Sequence, residues 1–381
     1  MKIVIAVNAF KGSLSCIEAA KAISKGIRKV LPDAEIISCP VSDGGDGLLD
    51  VVKSLPSVKT IKCKVVGPRK DKIDSEFCWL PKEKTAFIEM ALASGLALLP
   101  GEKRNPMEAT TYGTGQLISK ALKLNPDRII LGIGGSATCD GGAGAAAALG
   151  VVFFDKLGHV IPIPCGRDMY RICRIDMSNA SKLVKKNNGI EIICDVENPL
   201  LGSKGSAAVY ALQKGATPSQ VRELERGLAI FADKVRKYTN KDIRKIKGGG
   251  AAGGISAGFY GLFGANLKKG IDVVFDLISL EEKIKDADFV ITGEGKLDSQ
   301  TAYGKAPAGV AKLAKKHRVP CLAICGCVGK NTAVLGKMGI NSIWPICKEA
   351  ENAEDSMRNA GRYLEIVAGK MMIMQGKAHT D

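Results

Sequence analysis

Three segments far apart in the chain combine glycine with charge: Asn8-Ala9-Phe10-Lys11-Gly12-Ser13, Ser42-Asp43-Gly44-Gly45-Asp46-Gly47 and Gly293-Glu294-Gly295-Lys296-Leu297-Asp298-Ser299-Gln300-Thr301. Glycine lets a backbone approach an anion and present N–H donors. Lysine neutralises phosphate or carboxylate oxygens, and a carboxylate holds Mg2+ or accepts a hydroxyl proton. Phosphoryl transfer needs these parts. One such segment alone is ordinary turn chemistry; three of them, each following an apolar run, point to a phosphate-handling site.

The middle of the chain adds a fourth turn. Residues 128–133 read as a strand, Gly134-Gly135-Ser136-Ala137-Thr138-Cys139-Asp140-Gly141-Gly142 as the turn, and the Ala-rich run 143–149 as a close-packing helix whose N-terminus would receive an anion. The same segment carries the main alternative. Gly132-x-Gly134-x-x-Ala137, followed by Val151-Val152-Phe153-Phe154-Asp155, has dinucleotide-fingerprint spacing with an acid placed for a ribose hydroxyl, the signature of a nicotinamide-dependent dehydrogenase. Against it, Asp140 and the glycines after it postpone the helix. Asp195 follows the apolar strand 190–194, where it is a candidate base or a turn cap, and Gln213-Lys214-Gly215 offers a further cation. There is no Walker A motif, since Gly329-Lys330 is followed by Asn331, and no protein-kinase loop set. A kinase built on this chain would cradle phosphate in another way.

These turns need a frame that brings them together. Residues 2–7 form a compact apolar strand, Ser15-Cys16-Ile17-Glu18 has capping-box spacing, and Ile17, Ala20, Ile23, Ile27 and Val30 recur at helical intervals before a second strand over 35–41. The alternation returns near the other end: strand 288–292, helix 307–316, strand 320–325, then helix 331–338, strand 342–346 and helix 351–374. Such units predict a parallel sheet with helices on both faces, whose ligands lie at the carboxyl ends of the strands. The expected fold is α/β: a discontinuous Rossmann-like domain from residues 1–68 and 285–381, with a second α/β domain, residues 69–284, inserted in the middle. That middle carries Gly248-Gly249-Gly250-Ala251-Ala252-Gly253-Gly254 and a lysine-rich helix over 219–238.

Composition narrows the function classes. At 381 residues, with 46% of them apolar, the chain exceeds one typical domain, so two are expected. No apolar stretch reaches a membrane span, and the N-terminal apolar run is too short for a secretory signal, so a cytoplasmic, membrane-independent protein is expected. The twelve cysteines lack a regular framework and suit a reducing compartment; with three distant histidines, they make a structural zinc site unexpected. The net charge of +16 is spread over predicted helix faces and only 5% of residues are aromatic. That reads as solvated surface and attraction for small anions rather than as a nucleic-acid interface. Apolar patches on predicted helices suit a homodimer.

Taken together, these blocks resemble the class I glycerate kinases over nearly the full chain. The resemblance runs through Phe10 to Ser15, Pro40 to Gly47, Ala93-Ser94-Gly95-Leu96, Thr111-Tyr112-Gly113-Thr114-Gly115, Gly132 to Thr138, Asp195 to Gly202, Gln213 to Ala216, Gly250 to Gly254, Thr292 to Gly295, Asp298 to Thr301 and Gly304 to Pro307. It implies ATP- and Mg2+-dependent phosphorylation of D-glycerate, mainly at the 2-hydroxyl, giving 2-phosphoglycerate. It also implies a Rossmann-like domain from both chain ends plus an inserted domain. Four positions depart from the pattern: Asn8 stands in place of the usual Asp, Asp46 of Glu, Cys139 of Asn and Leu48 of Thr. Asn can neither act as a general base nor bring full charge to a metal.

The expected mechanism places MgATP and glycerate in a cleft between the two domains. Lys11, Asp43 and Asp195 are the candidate catalytic residues, with either acid orienting or deprotonating the hydroxyl. Ser13, Gly44, Gly45, Gly134, Gly135, Ser136, Asp140, Gly293, Gln300 and Lys305 are the candidate substrate or nucleotide contacts, and Glu294 and Asp298 the candidate Mg2+ ligands. Catalysis would rest on positioning and electrostatic stabilisation.

Overall fold

The structure, a computed structural model, describes residues 1–42, 44, 47–180, 189–302 and 305–378. Its strands in chain order are β1 (Lys2–Val7), β2 (Glu35–Ser38), β3 (Lys59–Val66), β4 (Lys72–Leu80), β5 (Thr85–Glu89), β6 (Arg128–Gly132), β7 (Val152–Phe154), β8 (Arg174–Asp176), β9 (Ile190–Ile193), β10 (Asn266–Lys268), β11 (Phe289–Leu297), β12 (Cys321–Val328) and β13 (Ile340–Pro345). The chain forms two compact units, Met1–Asp43 with Gly270–Asp381, and Gly44–Lys269. The sequence places these limits later, at 68/69 and 284/285. In the structure β3 pairs along its whole length with β4, and Ile271 packs on Gly309.

The unit made from the chain ends is a five-stranded sheet in the order β13-β12-β11-β1-β2, parallel throughout. Val4, Ile5 and Ala6 pair with β2 on one side or β11 on the other and are wholly buried, which is why β1 is a continuous apolar run. The helix Cys16–Val30 starts at the expected capping box: Glu18 N donates to Ser15 Oγ at 3.2 Å and Ser15 N to Glu18 Oε2 at 2.9 Å. Its buried stripe of Ala19, Ala20, Ile23 and Ile27 joins a core with Leu364 and Val367 of the C-terminal helix Ala360–Ala378. The two helices approach closely at Gly26, where an added Cβ would stand 2.0 Å from the Glu365 carbonyl oxygen.

Two expected boundaries shift here. The segment Gly293 to Leu297, read as a loop, continues β11, with Glu294 opposite Cys325 and Lys296 opposite Cys327. The cause is that β12 itself runs on to Val328, so the ladder keeps satisfying backbone amides beyond the apolar run that the sequence shows. The single helix expected over 351–374 is two, Ala353–Arg358 and Ala360–Ala378, the first capped by Asn352, whose Oδ1 accepts from Asp355 N.

The second unit holds a six-stranded mixed sheet in the order β10-β9-β6-β5-β4-β3. β5, β6, β9 and β10 are parallel neighbours, whereas β3, β4 and β5 form an antiparallel meander. Phe77, Phe153, Phe231 and Phe259 fill its core. β7 and β8 form a separate antiparallel pair, with Phe153 opposite Ile175. Among the described residues no helix is long and apolar enough to cross a membrane.

Candidate active site

In the unit formed by the chain ends, β1, β11 and β12 end on one edge and open into a cavity of about 380 Å³. Asn8, Lys11, Ser13, Glu294 and Lys305 line it, with Phe10 and Met357 on its apolar wall. Each arrives by local chemistry. Asn8 N donates to Gly293 O at 2.8 Å and Asn8 Oδ1 accepts from Ala9 N at 2.7 Å, turning the chain at the end of β1. Gly12, at φ +79°, lets the loop double back so that the amides of Ser13 and Leu14 both reach Phe10 O, at 2.9 Å. The Ser13 hydroxyl then donates to Met357 O.

Glu294 projects from β11 and is largely buried, so its charge needs partners. Thr301 Oγ1 donates to its Oε1 at 2.8 Å, and Lys305 Nζ lies 3.6 Å from the same oxygen. Lys305 is the N-cap residue of the helix Ala306–Lys316, whose Pro307 fits a first turn. The carboxylate therefore fixes a lysine at the cavity, and Lys11 adds a second cation. Asp298 stands apart from this group as a turn residue: Gln300 N donates to its Oδ1 at 2.9 Å, and Lys296 Nζ lies 3.6 Å from Oδ2. The Gln300 side chain is exposed, and Gly293 serves strand packing, since a Cβ there would stand 1.9 Å from Ile324 O. Among the described residues no cluster of three His, Cys, Asp or Glu side chains forms a metal cage. Glu294, and Asp298 less directly, fit Mg2+ only as one or two carboxylates completing a shell made mostly of phosphate and water, a common arrangement for this ion.

The second unit gathers other candidates on one sheet edge. Gly132 pairs with Ile193 across β6 and β9, so Gly134 and Asp195 each stand two residues beyond that pair, Asp195 with its side chain exposed. Gly135, at φ +68°, is exposed, while Ser136 is mostly buried. Gly44 is buried beneath this edge: a Cβ on Gly132 would meet its carbonyl oxygen at 3.1 Å. Asp43 and Gly45 lie outside the described residues.

Asp140 departs from its expected role as a ligand contact. It is wholly buried, and its carboxylate accepts from Thr111 N and Thr111 Oγ1 at 2.8 Å, Gly142 N at 3.1 Å and Gly144 N at 3.3 Å. Burial pushes its pKa up, against the lowering effect of these bonds. The carboxylate thus occupies from within the anion position expected at the start of the helix Ala143–Ala148 and pins that helix to the start of the helix Tyr112–Leu122. The dehydrogenase alternative fails on topology as well. β7 would have to lie parallel in the sheet of β6, but it pairs antiparallel with β8, and Asp155 Oδ1 accepts from the amides of Leu157 and His159 in its own turn.

Lys214 is absent from the candidate set, although its Gln-Lys-Gly block stands out in the sequence. It is 3% exposed, and its Nζ donates to Ser136 Oγ and Thr138 O, both at 2.8 Å. The available signal was the glycine after it: Gly215, at φ +93°, ends the turn on which Lys214 sits, and a Cβ there would strike Arg104 O at 2.3 Å.

Comparisons with known proteins agree on one family. The sequence model of the glycerate kinase family matches residues 3–375. A glycerate kinase of Halalkalibacterium halodurans is 42% identical over 373 residues, covering 98% of this chain and 97% of that protein. The glycerate 2-kinase of Escherichia coli is 41% identical over 360 residues, 94% of each. A crystal structure from Salmonella typhimurium LT2, provisionally named glycerate kinase 2, superposes with a TM-score of 0.88 at 38% identity, covering 100% of both chains.

Proposed function

The chain belongs to the glycerate kinase family, and on that premise we propose that it transfers the γ-phosphoryl group of ATP to the 2-hydroxyl of D-glycerate, giving 2-phosphoglycerate. The observation that carries this reading is the convergence of Lys11, Ser13, Glu294 and Lys305 on one cavity at the carboxyl edge of a parallel sheet. In phosphoryl transfer the protein does little covalent chemistry; it positions the groups and offsets charge on the phosphoryl oxygens.

In this reading Lys11 and Lys305 face phosphate oxygens, and Glu294 holds Lys305 in place. Glu294, with Asp298, would hold Mg2+, which would supply charge neutralisation for phosphate oxygens. Asp195 remains the candidate to orient or deprotonate the acceptor hydroxyl. Asn8 takes no part as an acid: its oxygen accepts a backbone N–H, which suits loop orientation.

Kinetics of Lys11→Ala test the cavity assignment. The Lys11 side chain is exposed, so its loss leaves the melting temperature within about 2 °C while kcat/KM for D-glycerate and MgATP falls on the order of 100-fold. Unchanged kinetics would remove Lys11, and with it this cavity, from the reaction.

A further inference from the structure

Lys214 is a buried cation whose hydrogen-bond partners are neutral, with the Asp140 carboxylate on the neighbouring turn as its electrostatic support. Among the described residues no carboxylate forms an ion pair with it; its two contacts, Ser136 Oγ and Thr138 O, are neutral acceptors. An ammonium group has three N–H donors, and burying it with two neutral partners is unfavourable unless its charge serves something else. What lies above it is the turn after β6. Leu96 N donates to Gly135 O and Ala137 N to Ser94 O, both at 2.8 to 2.9 Å, which fixes the turn from its carbonyl side. Among the described residues the amides of Gly134, Gly135 and Ser136 have no backbone acceptor. Ser136 Oγ accepts from Lys214, which leaves its own hydroxyl hydrogen to donate elsewhere. The Thr138 hydroxyl, wholly buried, also lacks a partner.

We infer that Lys214 is the positioning residue that makes the Gly134-Gly135-Ser136 turn a receptor for an anionic oxygen, orienting the Ser136 hydroxyl and supplying the fixed positive charge beneath the turn amides. Consecutive amides with a serine hydroxyl oriented by a buried cation are a preorganised anion site. The inference rests on the kinase reading for the identity of the anion: a carboxylate oxygen of the hydroxy acid or a phosphate oxygen of the nucleotide. Burial lowers the Lys214 pKa to about 8, and the Asp140 carboxylate works against that lowering.

The test uses the full chain and two variants. Lys214→Met removes both charge and donors, while Lys214→Gln retains an amide able to donate to Ser136 and Thr138 but has no charge. Calorimetric titration with D-glycerate, MgATP and inorganic phosphate, beside thermal melts, reads the outcome. Both variants are expected to melt within a few degrees of the wild type and to lose at least about 10-fold in affinity for one anion with the other ligand little changed. Loss for D-glycerate assigns its carboxylate to the turn, and loss for MgATP assigns a nucleotide phosphate. Wild-type affinity for all three ligands in Lys214→Gln would overturn the inference, as would uniform loss in proportion to a lowered melting temperature. Turnover of D-glycerate by the wild type is measured separately. Its absence would refute the kinase reading, while the phosphate titration would still judge the anion site.

Discussion

Lys214 and Asp140 illustrate how burial assigns work that residue type leaves open. Both sit at the turn after β6, yet Asp140 is occupied by four protein donors while Lys214 has only two neutral acceptors. Asp140→Ala leaves the amides of Thr111, Gly142 and Gly144 buried without their acceptor, so we predict a loss of roughly 3 kcal/mol by urea unfolding. A drop in ligand affinity at unchanged stability would return Asp140 to the site. Lys214 gives the complementary pH signature. Its folded pKa, about 8, lies below the ordinary 10.5. Between those values the unfolded chain binds more protons than the folded one, so unfolding free energy rises with pH across that window. The stability of the wild type relative to Lys214→Met should therefore increase from pH 8 to 10.5; a flat difference would mean that the amine titrates normally. Lys11 and Glu294 stand out in the sequence because charge beside glycine follows an apolar run; Ser13 shares the first of those segments, and Lys305 stands out only through the family resemblance. Lys214 shows in the sequence only as a further cation, because its burial depends on what the rest of the unit packs around it.

At the scale of elements, local chemistry carried well and partners did not. The Ser15-x-x-Glu18 capping box is present as read, and the helix expected over 219–238 is Pro218–Thr239 with its own box at Thr217 and Gln220. Such signals are local and need no tertiary context. The extension of β11 through Glu294 depends on β12 running alongside, and the β3-β4-β5 meander depends on pairing, so neither shows in one segment alone. Helix packing supplies a sharper test. At Gly26 a methyl group would collide with the Glu365 backbone, whereas at Gly336 nothing lies within 4 Å and the site is helical. Gly26→Ala should cost about 1–3 kcal/mol by overpacking, and Gly336→Ala should be neutral or slightly stabilising. Equal melting temperatures for the two variants would contradict the packing described for these helices.

For the whole molecule, the alternation of strand with helix at both chain ends points to one shared sheet, and the structure adds its order, with β1 beside β11. Strand order follows from packing across hundreds of residues and could not be read from any one motif. The +16 net charge dispersed over the chain suits small anions, and on the proposed function a phosphorylated hydroxy acid is the product to seek. Phosphorus and proton NMR of the products formed from D-glycerate and MgATP is the most direct measurement. The account predicts 2-phosphoglycerate and ADP in equal amounts, with no formation when ATP is withheld. Unreacted D-glycerate would contradict the proposed activity, and phosphate on the 3-hydroxyl would contradict the proposed acceptor position.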